Sequence, residues 1–167
     1  MEFNSRGHRV VEGLEEVRLC VAPERFAKRK SRRGARAQGV AFEKLVVRRL
    51  GRAELRGESY AGQWLSFRDA HGWGFAQPDF FLVRPGVVLL LEVKLTLTDS
   101  GWTQMEQLYC PLLEKLYERP VTTVQVCKNL RGFKPEGLVE GLARFGEKHV
   151  PGRWVWHTLD GETVDEY

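Results

Sequence analysis

The stretch QPDFFLVRPGVVLLLEVKLTL, residues 77–97, limits what this chain can fold into more than any other. Two apolar runs flank Arg84-Pro85-Gly86, a turn signal, so the spacing predicts a hairpin with strands over 78–83 and 87–97. In the second strand one parity is entirely apolar: Val87, Leu89, Leu91, Val93, Leu95 and Leu97 must face a core. Yet Asp79, Glu92 and Lys94 lie in the same stretch. A buried charge costs several kcal/mol (about 3–5 when its partner is missing) unless it is paired or coordinates a metal. With Pro85 and Gly86 at the centre of the turn, Arg84 lies opposite Val87, and stepping outward brings Asp79 opposite Glu92. A Pro-Gly turn prefers type II, which suits two-residue hairpins poorly, so a slip of one residue is the competing register. Lys94, two residues past Glu92, shares its face. Two carboxylates on one rung repel unless a cation bridges them.

An upstream segment contributes another misplaced charge. QGVAFEKLVVRRLG, residues 38–51, reads as a helix with a basic last turn before Gly51. Lys44, Arg48 and Arg49 occupy one side, while Glu43 projects to the other among Val40, Val46, Val47 and Leu50. A glutamate on an apolar stripe either pairs with a base or binds a metal.

The rest of the chain supplies a frame. At 167 residues, 43% hydrophobic and 29% charged, it suits one globular domain. No apolar run reaches the ~20 residues of a membrane span, and no signal-peptide apolar region is expected at the polar opening MEFNSRGH. Cys20, Cys110 and Cys127 are odd in number and form no CxxC pair, which argues against a disulfide framework or zinc knot and for a reducing, cytoplasmic setting. Residues 62–69 alternate as a strand and HGWG (71–74) reads as a turn. Residues 99–119 carry a helical stripe that Pro111 should kink. Strands are expected over 121–130 and 153–159 and a helix over 136–149. The order predicts an α/β or α+β sandwich around a mixed sheet.

Charge is unevenly distributed. The net charge is +4, and between Arg25 and Arg36 lie seven basic residues: Arg25, Lys28, Arg29, Lys30, Arg32, Arg33 and Arg36. From Glu136 onward there are seven acidic residues and no comparable basic cluster. We divide the chain into a basic arm (1–36) and a domain (37–167). Such an arm suits a polyanion, nucleic acid first, or is a solvated linker.

Three carboxylates and a lysine converging on one hairpin suit a hard cation, since Mg²⁺ uses carboxylates, waters and phosphate oxygens. A metal ion makes water nucleophilic near neutral pH, and the lysine either steadies phosphate charge or, if its pKa is depressed, serves as a base. The array suits phosphodiester hydrolysis.

Pro78-Asp79, twelve intervening residues and Glu92-Val93-Lys94 together resemble the motif of the PD-(D/E)XK nuclease superfamily. GVAFEKLVVRRL looks like its upstream helix, with Glu43 as its glutamate, and Gln104 in WTQMEQLY looks like the glutamine that several branches place after the lysine. The resemblance spans about residues 39–128. It implies a restriction-endonuclease-like αβββαβ core, a mixed central sheet flanked by helices. It also implies Mg²⁺ or Mn²⁺ held by Glu43, Asp79, Glu92 and the Val93 carbonyl, with Lys94 and Gln104 completing the catalytic set. Gly39-x-x-Phe42-Glu43 and the basic arm are similar to Holliday-junction resolvases and a small phage junction-resolving endonuclease, which work as dimers. The glutamine is equally similar to recombination exonucleases. DNA recombination or repair in a bacterial or phage-infected cell is the implied setting. The alternative is a non-catalytic nucleic-acid-binding protein on this fold, although such members usually lose an acid or the lysine.

For DNA contacts the candidates are Lys28, Arg29, Lys30, Arg32, Arg33 and Arg36 of the arm, with Trp73 as a base-stacking or core side chain. His71 is a candidate proton carrier or an ordinary surface histidine. Trp154 and Trp156 read as core, and His8, His149 and His157 lack ligand spacing.

Overall fold

The computed structural model describes residues 9–24, 34–128, 153–156 and 165–166. Its elements are β1 (Glu16–Cys20), α1 (Ala35–Leu50), β2 (Glu58–Ala61), β3 (Trp64–Asp69), β4 (Gly72–Ala76), β5 (Phe80–Arg84), β6 (Val87–Lys94), α2 (Asp99–Gln104), a π-helical turn (Met105–Tyr109), α3 (Cys110–Tyr117), β7 (Val121–Cys127), β8 (Arg153–Trp156) and β9 (Asp165–Glu166). The fold is mixed α/β. Most of the basic arm and residues 129–152, including the expected helix 136–149, lie outside the described residues, as do the side chains of Arg36, Trp154 and Trp156.

The hairpin forms in the expected register. Arg84 pairs with Val87 and Phe80 with Leu91. The turn does not slip, because Gly86 takes the positive φ of 87° that its position requires and that a residue with a Cβ rarely adopts. β6 pairs β5 antiparallel and β7 parallel, inside a six-stranded sheet ordered β2-β5-β6-β7-β8-β9.

Both faces of that hairpin are covered, which explains its near-continuous apolar sequence. One face, with Phe80, Leu82, Leu89, Leu91 and Val93, packs on Phe42, Val46 and Leu50 of α1. Phe81, Val83, Val88 and Leu90 on the other meet Trp102, Met105, Tyr109, Leu112 and Leu113, together with Leu65 and Phe67 of β3. Hence β6 is not half-buried. Glu92, only 2% exposed, sits inside the second of these layers.

Two expectations are corrected. The segment 62–69 forms β3, but in a separate three-stranded sheet, β1-β3-β4, not in the central one. HGWG is no simple turn: the chain reverses at Ala70-His71, and Gly72–Ala76 runs back along β3, with Asp69 paired to Gly72. Asp69 fixes this reversal by accepting hydrogen bonds from the His71 backbone N–H (2.8 Å) and from Arg9, whose guanidinium also donates to the Gly72 and Trp73 carbonyls.

The helical stretch 99–119 is split next to Pro111, as expected. The irregularity falls a turn before Pro111, which itself opens α3. Cys110 N–H donates to the Met105 carbonyl five residues back, the π-type bond. Proline has no N–H for the carbonyl four residues earlier, that of Gln107. This carbonyl accepts the Val11 N–H instead, at 3.0 Å.

Candidate active site

Each acidic residue reaches the site from a different element. Asp79 lies one residue before β5, where the hairpin ladder has ended, and its Oδ2 accepts the Val93 backbone N–H at 2.7 Å. The N–H and C=O of a strand residue point to the same side, so the Val93 carbonyl faces this edge too. The Lys94 carbonyl faces the opposite way and accepts from Lys128 N–H at 3.2 Å. Glu92 is buried, and Lys94 Nζ pairs with its Oε1 at 2.5 Å, the ammonium side chain being 31% exposed. Glu92 Oε2 is buried and has no hydrogen-bond donor among the described residues.

Glu43 comes from α1. The buried stripe of that helix is Phe42, Val46 and Leu50, with Glu43 and Val47 half-buried at its flank, not at its centre. The helix passes close to the end of β6, since a Cβ at Gly39 would stand 3.7 Å from the Leu95 side chain. The Glu43 charge therefore acts on Asp79, Glu92 and Lys94.

Electrostatics register the crowding. Burial first, then the charges of Glu92 and Glu43, push the Asp79 carboxyl well above its ordinary range, despite the Val93 hydrogen bond. Burial also raises Glu92, and Lys94 only partly offsets this. For Lys94 burial acts downward, but Glu92, Asp79 and Glu43 outweigh it and hold the amine above its ordinary value. In the metal-free protein these carboxylates favour the ammonium form of Lys94.

Gln104 is held by Tyr109, a partner that sequence reasoning missed. Its Nε2 donates to Tyr109 Oη at 2.5 Å, and Tyr109 donates to the Gln77 carbonyl at 3.2 Å, two residues before Asp79. A π turn places residues five apart on one side, so this contact is a direct product of the Met105–Tyr109 turn. Burial, then Glu92 and Asp79, hold the phenol well above its usual value. It stays a neutral hydrogen-bonding group beside the carboxylates. In the sequence Tyr109 looked like one more apolar-stripe residue.

Of the remaining candidates, the side chains of only Trp73 and His71 are described, both with the small sheet. Lys28, Arg29, Lys30, Arg32 and Arg33 lie outside the described residues, as does the Arg36 side chain. Trp73 is 54% exposed on β4 and does not fold back onto the sheet as core. His71 Nε2 is 3.5 Å from Glu12, on the small sheet.

Four oxygen donors lie at this end of the hairpin: the carboxylates of Glu43, Asp79 and Glu92, and the Val93 carbonyl. Among the described residues no three acidic, histidine or cysteine side chains are drawn together into a closed ligand cluster. The donor set nonetheless fits a hard divalent cation: all oxygen, two carboxyls raised by burial and by neighbouring carboxylates, and one buried carboxylate oxygen without a donor among the described residues. Comparison with protein-family models, curated proteins and solved structures gives no match for this chain. Among the described residues no helix is long and apolar enough to cross a membrane.

Proposed function

We propose that this chain is an Mg²⁺- or Mn²⁺-dependent deoxyribonuclease of the PD-(D/E)XK type, a structure-selective endonuclease or junction resolvase. The observation that carries the reading is the buried Glu92 Oε2, without a donor, in a group where Glu43, Asp79 and Lys94 also converge. A buried carboxylate oxygen without a donor is uncommon and calls for an explanation, which a bound cation would supply.

Glu43, Asp79, Glu92 and the Val93 carbonyl would hold the cation, and Asp79 is aimed by the Val93 N–H. A divalent ion there supplies charge neutralisation for phosphate and a water of lowered pKa. Lys94 donates hydrogen bonds to the attacking water or a phosphate oxygen and steadies charge on the phosphate. Gln104 and Tyr109 orient polar groups at the rim.

Nucleic acid as substrate is supported by α1. Glu43 is its only acidic residue, and its outer side carries exposed Lys44, Arg48 and Arg49, with Arg52 exposed just beyond. A surface of one sign beside the carboxylates would attract and position a phosphate backbone.

The test is cleavage of linear, circular, single-stranded and four-way-junction DNA with Mg²⁺, Mn²⁺ or EDTA. The reading expects metal-dependent cutting, with circular or junction DNA attacked. Cutting confined to free ends would make the enzyme an exonuclease, and no cutting of any substrate would leave a binding protein.

A further inference from the structure

Gln125 lies in the middle of β7 and is completely buried. It is the register partner of Glu92 on β6, so the two side chains stand next to each other on one face of the sheet. Both halves of its amide are used on one residue. Nε2 donates to the Thr98 carbonyl at 2.9 Å, and Oε1 accepts the Thr98 N–H at 3.3 Å. A side-chain amide here imitates a strand partner for a single residue of the β6–α2 connection.

Thr98 is also the N-cap of α2. Its Oγ1 accepts the Gly101 N–H at 3.3 Å, and its carbonyl accepts the same N–H at 3.1 Å. Gly101 lies directly on the Gln125 amide: a Cβ there would stand 2.8 Å from Cδ and 2.9 Å from Nε2 and Oε1. Only glycine allows this approach. The connection is thereby pinned four residues after Lys94 and six before Gln104. Everything the helix delivers to the site, Gln104 and then Tyr109, is placed relative to the carboxylates by this junction.

We propose that Gln125 is a positioning residue of the active site: seated beside Glu92, it clamps Thr98 and so sets where α2 carries Gln104 and Tyr109. The inference rests on the nuclease reading for its consequence but not for the clamp itself. Fixing a catalytic group to well under an ångström is what such supporting contacts do.

Two variants probe it from opposite sides. Gln125→Met keeps the bulk and removes both hydrogen bonds; Gly101→Ala keeps Gln125 and forces it away. Alanine in place of helical glycine ordinarily stabilises, so a loosened Gly101→Ala helix start would be specific to this contact. In protein free of metal and DNA, hydrogen exchange should accelerate at least tenfold over residues 99–109 in both variants and stay unchanged in α1. In cleavage assays kcat should fall about tenfold or more, with KM for DNA and Mn²⁺ affinity within twofold of the parent. In a Gln104→Ala, Tyr109→Phe background, Gln125→Met should then cost less than twofold more. Unaltered exchange over 99–109 overturns the clamp. Accelerated exchange with unchanged kcat, or an undiminished tenfold loss in that background, overturns the positioning role. An inactive parent protein would overturn the nuclease reading, leaving the clamp to be judged by exchange alone.

Discussion

Asp79 and Val93 are joined across the open end of the hairpin: the Asp79 carboxylate accepts the Val93 N–H at 2.7 Å, exactly where main-chain pairing of β5 has ceased. The aspartate thus replaces one rung of the ladder while carrying a charge that Glu92 and Glu43 oppose. An asparagine oxygen can accept the same bond without the charge. Because the folded-state pKa of Asp79 is raised, the metal-free protein loses stability as pH climbs from the ordinary carboxylate range through that raised value. Asp79→Asn should therefore melt higher than the parent without metal, by ~2–4 °C per kcal/mol of repulsion removed. The gap should widen from pH 5 to pH 8 and close when Mn²⁺ is added to both. A variant that melts lower at pH 8 means the carboxylate is worth more as an acceptor than it costs as a charge.

Lys94 gives the opposite sign. Its amine, raised by Glu92, stabilises the fold below its ordinary pKa, and this is lost only as pH rises through the higher folded value. Lys94→Met leaves Glu92 buried with no cation, a loss of roughly 2 kcal/mol or more near pH 8. The deficit should shrink near pH 5 as Glu92 takes up a proton. Thermal melts at the two pH values distinguish this from a packing defect, which would cost the same at both.

Tyr109→Phe removes the acceptor for Gln104 and the donor to Gln77. A loss of ~1 kcal/mol in stability is expected from the hydrogen bonds. Cleavage should fall about tenfold through kcat with KM for DNA unaltered, measured under single-turnover conditions. An unchanged kcat would make the contact purely structural.

The hairpin was legible because two apolar runs flank one turn signal, Pro85-Gly86, although the type II preference of that dipeptide left a slip of one residue open. Glu43 was legible as the only acid on an otherwise apolar and basic helix. β4 was not, since Gly72 and Gly74 read as a turn, and the Arg9 side chain that holds the Asp69–Gly72 reversal comes from a distant part of the chain. Tyr109 was missed because a helical period of 3.6 cannot register a partner five residues away; the π turn depends on Pro111 and on Val11 from the far end of the chain. Gln125 in VTTVQVC was one of three polar residues in a strand, with nothing local to reveal its hold on Thr98.

The outer side of α1 should act on affinity and not on chemistry. Replacing Lys44, Arg48 and Arg52 by alanine is expected to weaken DNA binding, each lost phosphate contact reducing the salt slope by ~0.9 on duplex DNA. Fluorescence anisotropy over a salt series in EDTA reads this out. Repeating it with Lys28, Arg29, Lys30, Arg32 and Arg33 replaced separates the arm from the helix, and an unchanged slope in either variant removes that segment from the interface.

Calorimetric titration of Mn²⁺ into the DNA-free protein tests the central claim most directly, because it asks whether the convergent carboxylates are a metal site before any substrate is involved. The parent protein and Lys94→Ala should both bind Mn²⁺ saturably at near neutral pH, while Asp79→Asn and Glu92→Gln should weaken binding at least tenfold and Glu43→Gln measurably. Binding that survives unchanged in Asp79→Asn and Glu92→Gln, or a parent protein that takes up no Mn²⁺, would contradict the assignment of this hairpin as a metal-dependent nuclease site.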